Sequence, residues 1–335
     1  MADTVHEQPT APDHDRATRR HRLGGSDVEV SRLGLGTAPL GGLFSHVEDS
    51  EAHAVVRAAL KAGLSYIDTA PLYGYGVAER RIGAALADVD RSSYVLSTKV
   101  GRLIVPTTAT DDSWNRDNFA DAEPSEAIFD YSADAVRRSL EESLERLGLD
   151  RVDVVYIHDP DDYEDEALTV AYPVLHELRS EGVVRAIGAG MNQSRVLTRF
   201  VRETDVDAVL LAGRYTLLDQ SGAEDLLPAC VGRGVSVVIG GVYNSGLLAG
   251  GTTYNYAEAP AELVERARRL EEICTAHGVP LKAAAIQFPL AHPAVACILT
   301  GARSVAELEE NLAMMAYDIP DALWDDLASA GVRRP

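Results

Sequence analysis

A buried strand is indicated by the stretch VDVVYIH, residues 152–158. Apolar residues fill positions 152–157 almost without interruption, as in a parallel strand that is covered on both faces. A helical pattern follows at residues 168–180, and a second β-rich run occupies residues 183–189. This order of strand, helix and strand predicts a βα unit within a parallel sheet.

The alternation of strands and helices extends in both directions from this unit. Helices are recognised by apolar residues on one face, as at Val136, Leu140, Leu144 and Leu147. Strands are predicted at residues 28–35, 65–68, 94–99, 152–157, 183–189, 208–212, 235–239 and 295–299. Helices are predicted at residues 51–62, 78–87, 136–147, 168–180, 194–203, 224–233, 262–277 and 305–315.

The number of βα units favours one architecture. About eight units follow a hairpin that is predicted around a turn at residues 24–27, and no linker-like break separates them. A doubly wound sheet would need a topological switch and usually a second domain, so a single (β/α)8 TIM barrel of the α/β class fits better. Residues 102–131 and 240–259 are too long for plain connections. Because both segments follow strands, we expect them as long loops on the C-terminal face, where barrel active sites lie.

Composition and charge exclude several classes of protein. The chain has 335 residues, of which 46% are hydrophobic and 25% charged, as in a soluble globular protein. Its formal net charge of −21 argues against binding nucleic acid through a basic surface. No stretch is long enough to span a membrane, and residues 1–20 are polar and lack the apolar run of a signal peptide. We therefore expect a flexible N-terminal tail at residues 1–20 and one barrel domain at residues 21–335.

The cysteines and histidines lack the spacing of a disulfide framework or a metal site. Cys230, Cys274 and Cys297 are far apart and odd in number, which fits a reduced cytoplasm. Asp161 and Asp162 follow a histidine, but no second histidine stands at ligand spacing, so a solvated acidic loop is expected there. The sequence predicts a cytoplasmic protein without a bound metal.

Three neighbouring predicted strands end in residues that can carry chemistry. Asp68 ends the second strand, Lys99 the third and His158 the fourth. Tyr73 lies in the loop that follows Asp68. The carboxyl ends of barrel strands meet at one face, so the four side chains are expected to lie together. Each residue alone has an ordinary structural explanation, but their convergence on one face favours a site.

These four residue types suit proton transfer to or from a carbonyl/alcohol pair. Tyrosine has an ordinary pKa of about 10, and a buried ammonium beside it favours the phenolate and lowers that pKa. An aspartate next to Lys99 would keep the ammonium charged and oriented. A neutral His158 can donate a hydrogen bond to a substrate oxygen. Together the residues predict a site of general acid/base chemistry.

The run DTAPLYG, residues 68–74, with Glu79 and Gly83 after it, resembles the signature of the aldo-keto reductase superfamily. The supporting runs are LGLGTAPLG at 33–41, STK at 97–99 and TGARS at 300–304. The resemblance spans residues 23 to about 315. It implies a nicotinamide-dependent oxidoreductase whose catalytic tetrad is Asp68, Tyr73, Lys99 and His158. In that tetrad Tyr73 would be the general acid/base, Lys99 and Asp68 would tune it, and His158 would orient the substrate oxygen.

Within this superfamily the chain is most similar to the branch of D-threo-aldose 1-dehydrogenases and pyridoxal 4-dehydrogenases. The runs that carry the similarity are LGGLF at 40–44, STKVGR at 97–102, IGAGMNQ at 187–193 and GGVYNSGLL at 240–248. The branch implies hydride transfer between NAD(P) and a sugar hemiacetal or a small aldehyde or alcohol, by a monomer or small homo-oligomer. The alternatives are a pyridoxal dehydrogenase, a general aldehyde or ketone reductase, and a regulatory barrel that only binds the cofactor.

The resemblance also implies a cofactor site on two loops and one helix. Small residues after the seventh strand let backbone N–H groups approach a phosphate, and the start of the last barrel helix favours an anion. The implied cofactor residues are Asn192, Asn244, Ser245, Gly246, Leu247, Gly301, Arg303, Glu307 and Asn311.

The nicotinamide pocket departs from the wider superfamily. Gly190 and Met191 stand where many members carry a Ser-Asn pair, which leaves Asn192 as the candidate for holding the nicotinamide amide. A glutamine that is common after the sixth strand is missing. The usual stacking tyrosine after the seventh strand is replaced by glycine, with Tyr215 or Tyr243 as candidate substitutes.

Charge near the start of the last barrel helix favours NAD over NADP. Glu307 and Glu310 would repel a 2′-phosphate, whereas Arg303 would attract it. We expect the two glutamates to dominate by a small margin, so that NAD is preferred and NADP is also used.

Aromatic residues are concentrated in the loop after the third strand. They are Trp114, Phe119, Phe129 and Tyr131. They are candidates for a wall of the substrate pocket, or for packing this loop onto the barrel.

Overall fold

The computed structural model describes residues 15–109 and 119–333. The strands are β1 (Arg20–Arg22), β2 (Glu29–Ser31), β3 (Leu33–Gly36), β4 (Tyr66–Asp68), β5 (Val95–Val100), β6 (Arg102–Pro106), β7 (Ser125–Phe129), β8 (Val154–His158), β9 (Ala186–Met191), β10 (Ala208–Ala212), β11 (Ser236–Gly240), β12 (Thr253–Tyr254), β13 (Ala257–Glu258) and β14 (Val295–Gly301). The helices are α1 (Asp49–Lys61), α2 (Val77–Leu86), α3 (Ala133–Leu147), α4 (Glu164–Glu166), α5 (Tyr172–Ser180), α6 (Ser194–Glu203), α7 (Leu226–Arg233), α8 (Ala261–Ala276), α9 (Leu281–Gln287), α10 (Val305–Ala316) and α11 (Asp321–Ser329).

Eight parallel strands close into a barrel in the order β3-β4-β5-β8-β9-β10-β11-β14. Each strand follows its predecessor along the chain, and β14 pairs with β3 to complete the ring. The predicted (β/α)8 barrel is therefore confirmed. Because β4, β5 and β8 are adjacent, the residues at their carboxyl ends share one sector of the C-terminal face.

The predicted N-terminal hairpin is present as β1 and β2, which pair antiparallel. The expected strand at residues 28–35 is split at Arg32, whose guanidinium donates to the carbonyl of Val295 at 2.6 Å. Residues 15–20, which the sequence assigned to the tail, contact the barrel. Ala17 is buried, and its carbonyl accepts from the Leu33 amide at 2.9 Å. Part of the segment that was expected as a tail therefore packs on the barrel, and residues 1–14 lie outside the described residues.

Both long segments on the C-terminal face contain a hairpin that sequence patterning did not predict. β6 and β7 pair antiparallel in the segment after β5, and β12 and β13 pair in the segment after β11. Both segments follow the carboxyl ends of barrel strands, β5 and β11, so the hairpins belong to the C-terminal face. In the described residues, no helix is long and apolar enough to cross a bilayer.

The contact between α2 and α3 is organised by a buried carboxylate. Glu79 has no exposed surface, and it accepts hydrogen bonds from the Thr98 hydroxyl at 2.8 Å and from Arg146 Nε at 2.6 Å. A buried carboxylate is tolerable only when it is paired and hydrogen-bonded. Glu79, which belongs to the run that carried the family resemblance, therefore has a structural role next to the site.

The substitution Arg146→Met is expected to lower the free energy of unfolding by about 3 kcal/mol, because it leaves the Glu79 charge buried without its partner. The matched control is Arg138→Met on the same helix, which breaks the exposed pair between Arg138 and Glu142 and should cost less than about 0.5 kcal/mol. Thermal and denaturant unfolding of both variants measure the difference. Equal losses in the two variants would contradict this assignment.

Candidate active site

The four predicted catalytic residues lie together at the carboxyl ends of β4, β5 and β8. Lys99 Nζ is 2.7 Å from Asp68 Oδ2 and 3.1 Å from the Tyr73 hydroxyl, and it also donates to the Thr69 carbonyl at 2.8 Å. The His158 ring stands perpendicular to the Tyr73 ring, with 6.2 Å between their centroids. A single ammonium therefore joins the carboxylate to the phenol, beside an imidazole.

The surrounding structure holds these groups in place. Ser97 donates to the free oxygen of Asp68 at 2.7 Å, so both carboxylate oxygens are engaged. The backbone of Tyr73 packs so closely against Gly41 that a Cβ at Gly41 would lie 2.6 Å from the Tyr73 carbonyl carbon. Glycine at position 41 is therefore required for the tyrosine loop to occupy its position.

Burial and charge set the protonation states of the site. Burial raises the pKa of Tyr73 to about 12, and the opposing effect of the Lys99 ammonium only partly offsets it. This corrects the expectation that Lys99 brings the tyrosine pKa below its ordinary value. Burial acts to lower the pKa of Lys99, but Asp68 and Tyr73 raise it overall, so the ammonium stays charged. Burial, together with Arg102 and Lys99, holds the pKa of His158 well below its usual range, so this imidazole is neutral.

A cavity of about 300 Å³ opens onto Tyr73, Lys99 and His158. Phe119 lies in its wall, as expected for one of the aromatic residues of the long loop. Tyr131 instead packs that loop onto the barrel, because it is fully buried and its hydroxyl donates to the His158 carbonyl at 2.6 Å. Trp114 lies outside the described residues.

The loop after β11 is a tight turn whose residues have positive φ angles. Asn244, Ser245 and Gly246 all have positive φ angles of 48°, 57° and 104°. Two backbone N–H groups of this turn are already used within the loop, because Asn244 donates to the Gly241 carbonyl at 2.9 Å and Gly246 donates to the Tyr243 carbonyl at 3.0 Å. Asn244 Oδ1 is buried without a hydrogen-bond partner among the described residues. Leu247 begins a short helical turn after this loop and is buried.

A second group of predicted cofactor residues lies where β14 leads into α10. Asn311 is buried rather than exposed, and its amide donates to the Gly301 carbonyl at 3.2 Å. The Tyr243 hydroxyl donates to Asn311 Oδ1 at 3.1 Å, which places the loop after β11 against this helix. The two groups of predicted cofactor residues are thus brought together by the fold.

Arg303 and Glu307 form an ion pair at the start of α10, with 3.0 Å between Nη2 and Oε1. Glu307 also accepts from the Arg303 backbone amide at 2.9 Å. Both side chains are exposed to a considerable extent, at 50% and 39%. Glu310 pairs with Lys282 at 2.5 Å.

The candidates for stacking on a nicotinamide are not in the cavity. Tyr215 is buried against Phe288, with 5.1 Å between the ring centroids, and Tyr243 points to Asn311. Asn192 does line the cavity, and its amide donates to the Ala212 carbonyl at 3.2 Å.

The cavity wall also contains Arg102, Asp159 and Tyr256, which sequence reasoning did not assign to the site. Tyr256 lies in the turn of the β12–β13 hairpin, where no local pattern indicates function. Asp159 directly follows His158, and that adjacency was the only sequence signal for it.

Known proteins share the sequence pattern and the fold of this chain. The profile of the Aldo/keto reductase family matches residues 32–331. The chain belongs to the aldo/keto reductase family. This aldo/keto reductase is 45% identical to the D-threo-aldose 1-dehydrogenase of a Pseudomonas species, with 90% of this chain and 94% of the relative aligned. It is 39% identical to the pyridoxal 4-dehydrogenase of Microbacterium luteolum, over 95% of this chain and 99% of the relative.

Solved structures lead to the same family. An aldo-keto reductase from Bacillus halodurans in its holo form has a TM-score of 0.74 and 25% identity, and the match covers 93% of this chain and 96% of that chain. The protein is therefore an oxidoreductase of the aldo/keto reductase family, with an aldose dehydrogenase and a pyridoxal dehydrogenase among its relatives.

Proposed function

We propose that this aldo/keto reductase is a nicotinamide-dependent aldose 1-dehydrogenase that oxidises a sugar hemiacetal at C1. The observation that carries the proposal is the Lys99 ammonium within hydrogen-bond distance of both Asp68 and the Tyr73 hydroxyl. The 45% identical relative, which is named as a D-threo-aldose 1-dehydrogenase, supports a sugar as the substrate.

Tyr73 is the group that moves the proton. In oxidation its phenolate accepts the proton of the C1 hydroxyl, and in reduction its hydroxyl returns it. Lys99 stabilises the phenolate by charge and by its hydrogen bond, while Asp68 keeps Lys99 oriented. Neutral His158 donates to the reacting oxygen, which polarises that oxygen without adding a positive charge.

The residues of the cofactor site fit a dinucleotide. The turn at residues 244–246, where three successive residues have positive φ angles, is the proposed pyrophosphate site. Gly301, Arg303 and Asn311 would hold the adenosine half, and Asn192 would hold the nicotinamide amide. A bound nicotinamide supplies the acceptor or donor of the hydride.

A substrate and cofactor panel tests this function. Purified protein is assayed with aldoses, pyridoxal and aryl aldehydes, each with NAD(H) and NADP(H), at the nicotinamide absorbance. We expect the highest kcat/KM with an aldose. The 39% identical pyridoxal 4-dehydrogenase favours pyridoxal as the second candidate, so highest activity with pyridoxal would replace the aldose. Absence of turnover across the panel would favour a regulatory barrel.

NAD is the proposed preferred cofactor, because Glu307 pairs with Arg303 and so offsets the charge with which this guanidinium would attract a 2′-phosphate. The substitution Glu307→Gln should release Arg303 and raise kcat/KM with NADP by about 10-fold, with little change for NAD. Glu309→Gln is the matched control, since it removes the same charge from an exposed position on α10. A wild-type preference for NADP, or an equal effect of the two substitutions, would contradict this assignment.

A further inference from the structure

Beside His158 the cavity wall carries an ion pair to which the proton-transfer mechanism assigns no contact with the substrate. Arg102 Nη2 lies 2.5 Å from Asp159 Oδ2, and both side chains are mostly buried, with 11% and 25% of their surface exposed. Burying two charges is costly, and a buried pair is weak evidence for stability by itself. Its position in the substrate cavity calls for a functional explanation.

Contacts outside the ion pair hold both Arg102 and Asp159 in place. The Arg102 guanidinium lies over the Phe129 ring at 4.4 Å, in a cation–π contact. Asp159 has a φ angle of 44°, a left-handed conformation that a non-glycine residue adopts only at a cost. The Tyr131 hydroxyl holds this strained backbone by donating to the carbonyls of His158 and Asp159 at 2.6 and 3.0 Å.

The position of Tyr131, whose hydroxyl makes these two hydrogen bonds, depends on a glycine. Gly101 has a φ angle of 101°, and a Cβ at this position would lie 2.2 Å from the Tyr131 ring. Strain at Asp159 and a matched glycine at position 101 thus hold one carboxylate at the edge of the cavity. Such an arrangement is typical of a binding group rather than of a surface ion pair.

Unused hydrogen-bonding capacity remains at the pair. Arg102 Nε is buried without a hydrogen-bond partner among the described residues. An unsatisfied buried donor costs free energy, which indicates that the guanidinium is held at this position for a reason other than stability. The carboxylate of Asp159 can accept from a hydroxyl, so a single hydroxyl group can donate to Asp159 and accept from Arg102.

The other residues of the cavity wall indicate which chemical class of ligand fits. Lys99 forms an ion pair with Asp68, and Arg102 forms one with Asp159. The lysine and the arginine of the wall thus each have a partner of opposite charge. The remaining wall is largely apolar and includes Leu43, Leu72, Phe119 and Met191. A neutral ligand with a hydroxyl-bearing edge and a C–H face matches these two surfaces.

We infer that Arg102 and Asp159 bind the hydroxyl on the carbon next to the reacting carbon, which makes them the specificity residues for 2-hydroxylated aldoses. Asp159 Oδ2 lies 3.5 Å from His158 Nε2. A substrate oxygen that accepts from His158 therefore has its neighbouring hydroxyl within reach of Asp159. The inference rests on the proposed aldose dehydrogenase function and adds the part of the substrate that is recognised.

Pairs of sugars that differ only at the 2-hydroxyl test this inference. D-Arabinose is compared with 2-deoxy-D-ribose, and D-galactose with 2-deoxy-D-galactose, by kcat/KM with the preferred cofactor. For the wild-type protein we expect a preference of about 10- to 100-fold for the 2-hydroxylated sugar, the effect of one hydrogen bond to a charged group. Asp159→Asn should reduce this ratio by at least about 10-fold, because the 2-hydroxylated sugar loses the charged acceptor whereas the 2-deoxy sugar loses nothing.

The outcomes separate this inference from the function on which it rests. Asp162→Asn, a change of the same kind at an exposed residue of the same loop, should leave the ratio at its wild-type value. If Asp159→Asn does not fold, the ratio of kcat/KM for the 2-hydroxylated and 2-deoxy sugars is measured in Arg102→Met instead. A wild-type ratio below about 3, or an unchanged ratio in the folded variants, overturns the inference while the aldose dehydrogenase function stands. Failure of the wild-type protein to oxidise any aldose overturns the function itself.

Discussion

Tyr73→Phe is expected to lower turnover by at least about 100-fold and by as much as about 10⁴-fold, the range for loss of a general acid/base. The hydroxyl that Lys99 contacts at 3.1 Å is the only one in the tetrad that can exchange the substrate proton. The phenylalanine ring retains the perpendicular contact with His158, so the shape of the cavity should be preserved. Steady-state kcat with the best substrate of the panel measures the loss.

The control for Tyr73→Phe removes a tyrosine hydroxyl far from the cavity. Tyr317→Phe takes away a hydrogen bond to the Gly278 carbonyl and should leave kcat near the wild-type value. Cofactor binding, followed by fluorescence titration, should be retained in both variants. Near-normal turnover by Tyr73→Phe would remove this tyrosine from the mechanism.

Lys99→Met is expected to shift the pH dependence of oxidation upward and to slow the reaction near neutral pH. Burial already raises the pKa of Tyr73 to about 12, and Lys99 is the main group that opposes this rise. Removing the ammonium therefore raises the tyrosine pKa further, since an opposite charge at this distance is worth about 1–3 pKa units. The phenolate fraction at a fixed neutral pH should fall by about 10- to 1000-fold, and the rate of oxidation with it.

The sign of the pH effect differs between the two directions of the reaction. Oxidation needs the Tyr73 phenolate, so kcat/KM for the sugar should rise with pH below the tyrosine pKa. In Lys99→Met the same rise should be displaced to higher pH, with a lower kcat/KM at each pH below the pKa. Reduction needs the protonated hydroxyl, which predominates at neutral pH in both proteins. Lys61→Met, at an exposed site on α1, is the control for loss of a lysine. A pH profile unchanged in shape and position would make Lys99 a structural residue.

The barrel and the tetrad could be predicted because both follow from local patterns. A run of apolar residues such as 152–158 indicates a strand that is buried on both faces, and the spacing of apolar residues indicates which face of each helix is buried. Once eight βα units are counted, parallel closure places Asp68, Lys99 and His158 on one face without knowledge of any side-chain contact. The pairing of Lys99 with Asp68 across adjacent strands is the direct consequence.

Other features depend on contacts that no local pattern contains. Arg102 and Asp159 are 57 residues apart, at the start of β6 and directly after β8, and they pair because the tertiary structure brings these two segments together. Tyr256 reaches the cavity because the β12–β13 hairpin forms within a loop whose sequence indicates only turns.

The pKa of Tyr73 likewise depends partly on the sequence and partly on the tertiary structure. The sequence places an ammonium beside the tyrosine, which by itself predicts a lowered pKa. The depth of burial follows from the packing of the whole barrel, and it raises this pKa to about 12 despite the ammonium. Residue types and their order along the chain thus determined the chemistry available at the site, because strand and helix periodicity is local. Closure of the barrel and folding of its long loops decided solvent access, protonation and the hydroxyl-binding pair, because these depend on residues brought together from distant parts of the chain.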